Sequence, residues 1–145
     1  MRASAWSCLC IALLAALPPA FAQDAPPAAA PAADEANRPG DIGQRWRIEF
    51  ERSANTAGEI VLRLWPHNQP PIEVTIPVQQ GDTANGLSRK TREILRDTLD
   101  KNKFAVEDAQ RFVSIAAFND ERRFALELAS NTAQGLGVEL DRTGR

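Results

Sequence analysis

The chain has 145 residues, with 17 Lys and Arg against 19 Asp and Glu, so its formal net charge is −2. This length suits one small domain rather than two. The near balance of charge argues against a nucleic-acid-binding protein, which normally carries a basic excess. Both cysteines and the one methionine lie within the first ten residues, and His67 is the one histidine. These shortages exclude the usual zinc sites, and we expect no metal and no cofactor.

The first 22 residues have the pattern of a secretory signal peptide. Arg2 precedes an apolar run over residues 5–17, two prolines end the run, and Ala20 and Ala22 occupy the positions that signal peptidase reads. The run has roughly 13 residues, whereas a membrane-spanning helix needs about 20. We therefore expect cleavage after Ala22, no stable membrane insertion afterwards, and a periplasmic or secreted protein. The alternative is an uncleaved N-terminal anchor.

Removal of residues 1–22 leaves residues 23–145, which contain no Cys, Met or Tyr, and loss of Arg2 takes the net charge from −2 to −3. The expected mature protein is therefore free of disulfides and depends on its core for stability. Residues 23–41 are rich in Pro, Ala and acids and hold no bulky apolar side chain, which predicts a flexible linker. Residues 42–145 are predicted to form a single domain.

Alternation of apolar and polar residues predicts three strands at the start of this domain. Turn-like residues separate them, so we expect an antiparallel meander with one wet face. Pro77 is expected to end the third strand or to place it at an edge. The side chains predicted to face the core are Trp46, Ile48, Phe50, Ile60, Leu62, Leu64, Ile72, Val74 and Ile76.

A helix follows, because apolar residues recur at steps of three and four from Ala84 to Leu99. Asp82 or Thr83 is the expected N-cap, and Gly86 favours a start near Leu87. The cations of the helix have two interpretations, either a surface for an anionic partner or a solvated face paired with neighbouring acids. They are Arg89, Lys90, Arg92 and Arg96.

Four further strands are predicted after the helix, beginning near Phe104, Arg111, Phe124 and Leu136. The predicted fold is α+β and mainly antiparallel, in the order βββ-α-ββββ, with one helix packed on the sheet. The sequence leaves open whether the strands form one sheet or two. The acidic pairs Glu107-Asp108 and Asp120-Glu121 are expected in hairpin turns, where acids are usually solvated.

A tentative binding patch comprises Trp65, Arg63 and His67. If Leu64 points into the core, Trp65 points to the other face of the strand, beside Arg63 and a Pro-rich loop that holds His67. An exposed indole there would suit recognition of a protein or a sugar. In the alternative interpretation, the Pro-rich loop folds back and covers the ring.

These features favour an exported, non-catalytic domain that acts as a protein-interaction or assembly module of the cell envelope. An unknown protein or a second copy of the chain would bind at the patch or at an open sheet edge. The alternative is a module that binds a cell-wall polymer such as peptidoglycan by stacking sugars on Trp65. A third candidate is a small hydrolase that uses His67 or the turn acids.

Overall fold

The structure is a computed structural model, and it describes residues 37–119, 121 and 123–143. The predicted signal peptide and the predicted linker up to residue 36 lie outside the described residues. Seven strands and one helix are present in the described ranges, in the predicted order, which confirms the α+β class. They are β1 (Arg45–Glu51), β2 (Gly58–Trp65), β3 (Ile72–Val78), α1 (Ala84–Thr98), β4 (Phe104–Ala109), β5 (Phe112–Ala117), β6 (Ala125–Asn131) and β7 (Gly137–Thr143).

The strands form two antiparallel sheets, one ordered β4-β5-β1-β7 and the other β3-β2-β6. The predicted meander of the first three strands is therefore wrong, because β1 pairs with β5 and β7 and never with β2. Between β1 and β2 the chain passes from one sheet to the other. At the start of β2, Gly58 allows the backbone that follows β6 to approach closely, since a Cβ atom there would lie 2.7 Å from the backbone nitrogen of Ala133.

Both sheets direct their apolar faces toward one core, and α1 packs against β1, β3, β4 and β5. The predicted core positions of the first three strands are buried, except that Ile72 is half-buried at the rim. Phe104 and Phe124 meet edge to face with their ring centroids 5.3 Å apart, which joins β4 to the residue before β6. Each large apolar side chain buried in this way contributes roughly 1.5–3 kcal/mol.

The helix begins at Ala84, one turn earlier than Leu87, because a side-chain cap supports its first turn. Thr83, one of the two predicted N-caps, accepts a hydrogen bond at its Oγ1 from the N–H of Gly86, at 3.2 Å. Such a cap is worth about 1 kcal/mol, which offsets the similar cost of glycine within a helix. Leu87 and Leu95 of α1 are fully buried, so the cap and the apolar stripe together fix the position of the helix.

The two faces of the four-stranded sheet differ in what covers them. The inward face lies on the core, whereas no described element packs on the outward face, whose side chains are half-buried or exposed. At one end of the outward face, the guanidinium of Arg47 lies 4.4 Å from the centroid of the Phe112 ring. At the other end, near Phe118, the surface is concave.

The edge strand β3 is partly protected by the helix. Pro77 lies within β3, at the edge of its sheet as predicted, and cannot donate a hydrogen bond from its backbone. The ammonium of Lys90 donates to the carbonyl oxygen of Pro77 at 3.1 Å. This edge therefore offers fewer free backbone groups to another strand than an uncovered edge would.

Candidate functional site

The indole ring of Trp65 is buried, with 1% of the residue exposed, which corresponds to the interpretation in which the ring is covered and not to the one in which it forms an exposed patch. Trp65 does point away from the main core, as the alternation predicts, but the chain covers that side of β2 as well. Its cross-strand partner Ala125 and the neighbouring Pro66 are also buried. The side chain of Arg38 donates to the carbonyl oxygen of Trp65 at 3.4 Å, which brings the end of the predicted linker onto the domain.

Arg63 and His67, the other members of the predicted patch, make contacts of different kinds. The guanidinium of Arg63 pairs with the carboxylate of Glu73 on β3, at 3.1 Å. His67 is exposed, and its backbone N–H donates to the carboxylate of Glu121. The three residues are therefore close in sequence but do not form one exposed binding surface.

The predicted acidic turn pairs take different positions from those expected. Glu107 and Asp108 lie within β4, not in a turn, and as strand neighbours their side chains point to opposite faces of the sheet. Asp108 pairs with Arg92 of α1 at 2.6 Å. Glu121 is buried rather than solvated, with 2% of the residue exposed. Asp120 lies outside the described residues.

In the described part of the chain, some cations of α1 are paired with acids, as one interpretation of the sequence predicts, and at least one is free to face an anionic partner, as the other predicts. Lys90 pairs with Asp82 at 2.7 Å, and Arg92 pairs with Asp108 as well as with Glu93 at 3.6 Å, so these two belong to a self-paired surface. Arg96 is exposed at the end of the helix and lines a concave surface on the sheet. This concave surface is one part of a recess near Phe118.

The recess consists of three adjoining concavities of about 370, 460 and 390 Å³, all of which Phe118 lines. The first lies around the β4 edge, where Phe104 and Val106 of the inward face and the end of α1 also line it, and the other two lie toward the outward face. Ala105 is shared by the first two concavities and Gln44 by the last two, so they form one continuous surface. We name this surface the Phe118 groove. Its lining includes Arg45, Arg96, Lys101, Ala105, Glu107, Ala116, Phe118, Arg123 and Thr143.

Strand register produces the floor of the Phe118 groove. Ala105 of β4 lies opposite Ala116 of β5, Ala116 lies opposite Arg45 of β1, and Arg45 lies opposite Thr143 of β7. One residue from each of the four strands thus forms a row across the sheet on its outward face. Because two of the four are alanines, the row is a depression beside the larger ring of Phe118.

The charges around the Phe118 groove are mostly positive and unpaired. Arg45, Arg96, Lys101 and Arg123 are all exposed, and no carboxylate of the described residues lies within 4 Å of their charged groups. Elsewhere in the described chain, five cations, Arg63, Lys90, Arg92, Arg111 and Arg142, each contact an acid, whereas Arg47, Arg52, Arg89 and Lys103 have no acid within 4 Å among the described residues. Glu107 is the one carboxylate among the lining residues that the structure describes, and it lies at the Arg96 end.

Sequence reasoning missed the Phe118 groove, although one signal for it was present. Alternation over residues 111–118 places Ala116 and Phe118 on the same side of β5, away from the core. The sequence did not reveal that β5 lies between β4 and β1, and this neighbourhood is what brings Ala105 and Arg45 beside Ala116. A small residue on the outer face of a central strand therefore marks a recess once the strand order is known.

Comparison with known proteins yields no match, whether with protein-family models, curated proteins or solved structures. Among the described residues, no helix has both the length and the hydropathy needed to cross a bilayer. The same part of the chain contains no group of three or more His, Cys, Asp or Glu side chains arranged to hold a metal ion. The proposed function therefore depends on the geometry of the Phe118 groove.

Proposed function

We propose that the protein is an exported, non-catalytic module that binds another protein through the outward face of its four-stranded sheet. The observation that carries this proposal is the Phe118 groove, a recess that extends from the β4 edge, beside the end of α1, onto a sheet face that no described element covers. A recess with an apolar floor and a polar rim resembles the centre of many protein interfaces. The predicted signal peptide supports a location in the periplasm or outside the cell.

Binding is favoured over catalysis by the kinds of side chain that line the groove. Among the described residues that line it, the charged groups are three arginines, one lysine and Glu107, and none is His, Cys or Ser. Nucleophilic catalysis needs a nucleophile beside a base, and general acid–base catalysis needs a group that titrates near the working pH. Arginine stays charged at any physiological pH and serves as a ligand for anions.

Stacking of sugars on Trp65 loses support, because a ring that is 1% exposed offers no face to a ligand. The cell-wall polymer alternative would then have to use the groove itself. Phe118 is half-buried there and is one ring beside several cations. The lining of the groove therefore favours the protein-interaction hypothesis over binding of a cell-wall polymer.

A quantitative capture experiment with two matched variants tests the proposal. Residues 23–145 serve as bait for an envelope extract of the source cell, as wild type, as Ala105→Arg in the groove, and as Ala129→Arg on β6. Both alanines are exposed strand residues, and Ala129 lies outside the groove, so both variants should keep the unfolding midpoint of the wild type.

We expect a specific partner to be enriched by the wild type and by Ala129→Arg, and to be reduced at least tenfold by Ala105→Arg. Equal capture by all three proteins would reject the outward face as the binding surface. A partner that is lost with Ala129→Arg and kept with Ala105→Arg would move the interface to the three-stranded sheet.

A further inference from the structure

The chemistry of the Phe118 groove restricts the kind of partner that fits it. We propose that the groove binds an extended, acidic segment of polypeptide in which carboxylate and apolar side chains are mixed. This inference rests on the proposed function and adds to it the chemical class of the ligand.

The first argument is charge complementarity. The whole chain has a net charge of −2, yet Arg45, Arg96, Lys101 and Arg123 surround one groove in which Glu107 is the single acid among the described lining residues. Complementary charge of this kind steers partners together and excludes those of like charge. A basic or neutral segment would gain little at this surface, whereas an acidic one gains several charge-assisted hydrogen bonds.

Second, the four cations of the groove are available to bind a ligand carboxylate. Arg63, Lys90, Arg92 and Arg142 would each have to give up an internal ion pair before meeting a ligand carboxylate. The four cations of the groove have no such pair among the described residues. An anionic ligand therefore binds them without first breaking a contact within the protein.

The third argument is the shape and polarity of the floor. The row Ala105, Ala116, Arg45 and Thr143 crosses four strands, which at about 4.8 Å between neighbours is a path of roughly 14 Å. An extended chain of four or five residues covers that distance at about 3.3 Å per residue. Its apolar side chains would contact the alanines and Phe118 while its carboxylates reach the cations at the rim.

The mixture of apolar floor and cationic rim is what favours a polypeptide over other anions. A sulfated polysaccharide or a phospholipid headgroup presents negative charge without alternating apolar side chains, so it would leave the floor uncovered. Glu107 repels anions at the Arg96 end. We therefore expect the acidic side chains to lie toward Arg45 and Arg123.

Fluorescence anisotropy with a defined probe tests this inference. The probe is a fluorescein-labelled ten-residue peptide of alternating Glu and Leu, titrated with residues 23–145, and its control has Lys in place of every Glu. We expect saturable binding of the Glu peptide, at least tenfold weaker binding of the Lys peptide, and loss of affinity as sodium chloride rises from 50 to 500 mM.

Matched charge reversals locate the binding site. Arg45→Glu and, as an independent second variant, Arg123→Glu should each weaken binding of the Glu peptide at least tenfold. Arg52→Glu makes the same change of charge just beyond the opposite end of β1 and should leave the dissociation constant within twofold. Circular dichroism and thermal unfolding confirm that each variant retains the fold.

Three outcomes would overturn the inference. The first is equal affinity for the Glu and Lys peptides, and the second is an equal effect of Arg45→Glu and Arg52→Glu. The third is Arg45-dependent binding of dextran sulfate or of phosphatidylglycerol vesicles without binding of the Glu peptide, which would assign a non-protein anion. If capture of a partner still depends on Ala105 while the Glu peptide does not bind, the proposed function stands and the acidic ligand is rejected.

Discussion

The carboxylate of Glu121 accepts a hydrogen bond from the backbone N–H of His67, which ties the loop after β2 to the loop before β6. Glu121 is 2% exposed, although its neighbourhood in the sequence predicts a solvated hairpin turn. A carboxylate shielded from water needs hydrogen-bond donors, and a loop N–H supplies one without any second ionised side chain. The contact therefore holds the chain just after Trp65 against the segment that precedes β6.

We expect Glu121→Ala to lower the free energy of unfolding by about 2 kcal/mol, because it removes a hydrogen bond to a charged acceptor and leaves a backbone donor unpaired. Glu121→Gln keeps an acceptor oxygen and should lose less. Glu73→Ala, which breaks the solvent-exposed pair with Arg63, is the control and should cost under about 1 kcal/mol. Urea denaturation measures all three, and equal stability of Glu121→Ala and wild type would contradict the structural role of this contact.

Because Trp65 is buried, we expect its replacement to lower the stability of the fold, whereas replacement of a surface residue would leave stability unchanged. Trp65→Ala should lower the free energy of unfolding by roughly 3–5 kcal/mol, since it empties the space of a large buried ring. The measurement is chemical unfolding followed by circular dichroism, with Arg63→Ala as a neighbouring surface control. A variant that kept its unfolding midpoint and lost a binding partner would restore the exposed-indole hypothesis.

The contrast between Trp65 and Leu64 shows which structural properties the alternation of apolar and polar residues can predict. Alternation correctly places the two side chains on opposite faces of β2, because the period of a strand is a local property of the backbone. Whether the second face is covered depends on residues that are distant in sequence, and two such residues, Arg38 and Glu121, hydrogen-bond to the backbone at Trp65 and at His67. The burial of Trp65 therefore follows from tertiary contacts that no local pattern contains.

Strand partners were unpredictable for the same reason. The alternation that identifies β1 is equally compatible with pairing to β2 or to β5, and loop length favoured the wrong partner. The helix was predictable in more detail, since its cap and its apolar stripe act within a few residues of each other. The Phe118 groove is formed by residues of three neighbouring strands. It could be identified only once the pairing of Ala105, Ala116 and Arg45 was known.

Two hydroxyl groups on the buried face of α1 should respond to mutation with opposite sign. The hydroxyl of Ser88 donates to the carbonyl oxygen of Gln110 at 2.5 Å, whereas the hydroxyl of Thr91 is buried without a hydrogen-bond partner among the described residues. Thr91→Val keeps the shape and removes a polar group that pairs with nothing, so we expect it to stabilise the protein by up to about 1 kcal/mol. Ser88→Ala should destabilise it by about 1 kcal/mol.

Thermal unfolding of the two variants beside the wild type checks both signs in one experiment. A lower midpoint for Thr91→Val than for the wild type would mean that the Thr91 hydroxyl has a partner in solution, such as a bound water.

Asp82 gives stability that depends on pH, because its carboxylate is held by two donors. The backbone N–H of Gln79 donates to it at 2.9 Å and the ammonium of Lys90 at 2.7 Å, and these contacts, the first being the larger, lower the pKa of Asp82 below its ordinary value. A carboxyl group whose pKa is lower in the folded state stabilises the fold above the unfolded-state pKa, which is about 3.9. That stability is lost as the pH falls through the folded-state pKa.

We therefore expect Asp82→Asn to be about 1 kcal/mol less stable than the wild type at pH 7, with the difference shrinking below about pH 4 as Asp82 of the wild type takes up its proton. Asp97→Asn, at an exposed position on α1 for which no ion pair is present among the described residues, is the matched control and should show little change at either pH. Urea unfolding at a series of pH values from 2.5 to 7 measures the difference. If the gap between wild type and Asp82→Asn were constant over that range, ionisation of Asp82 would not be its cause, and the amide would instead be disturbing the hydrogen bond from Gln79.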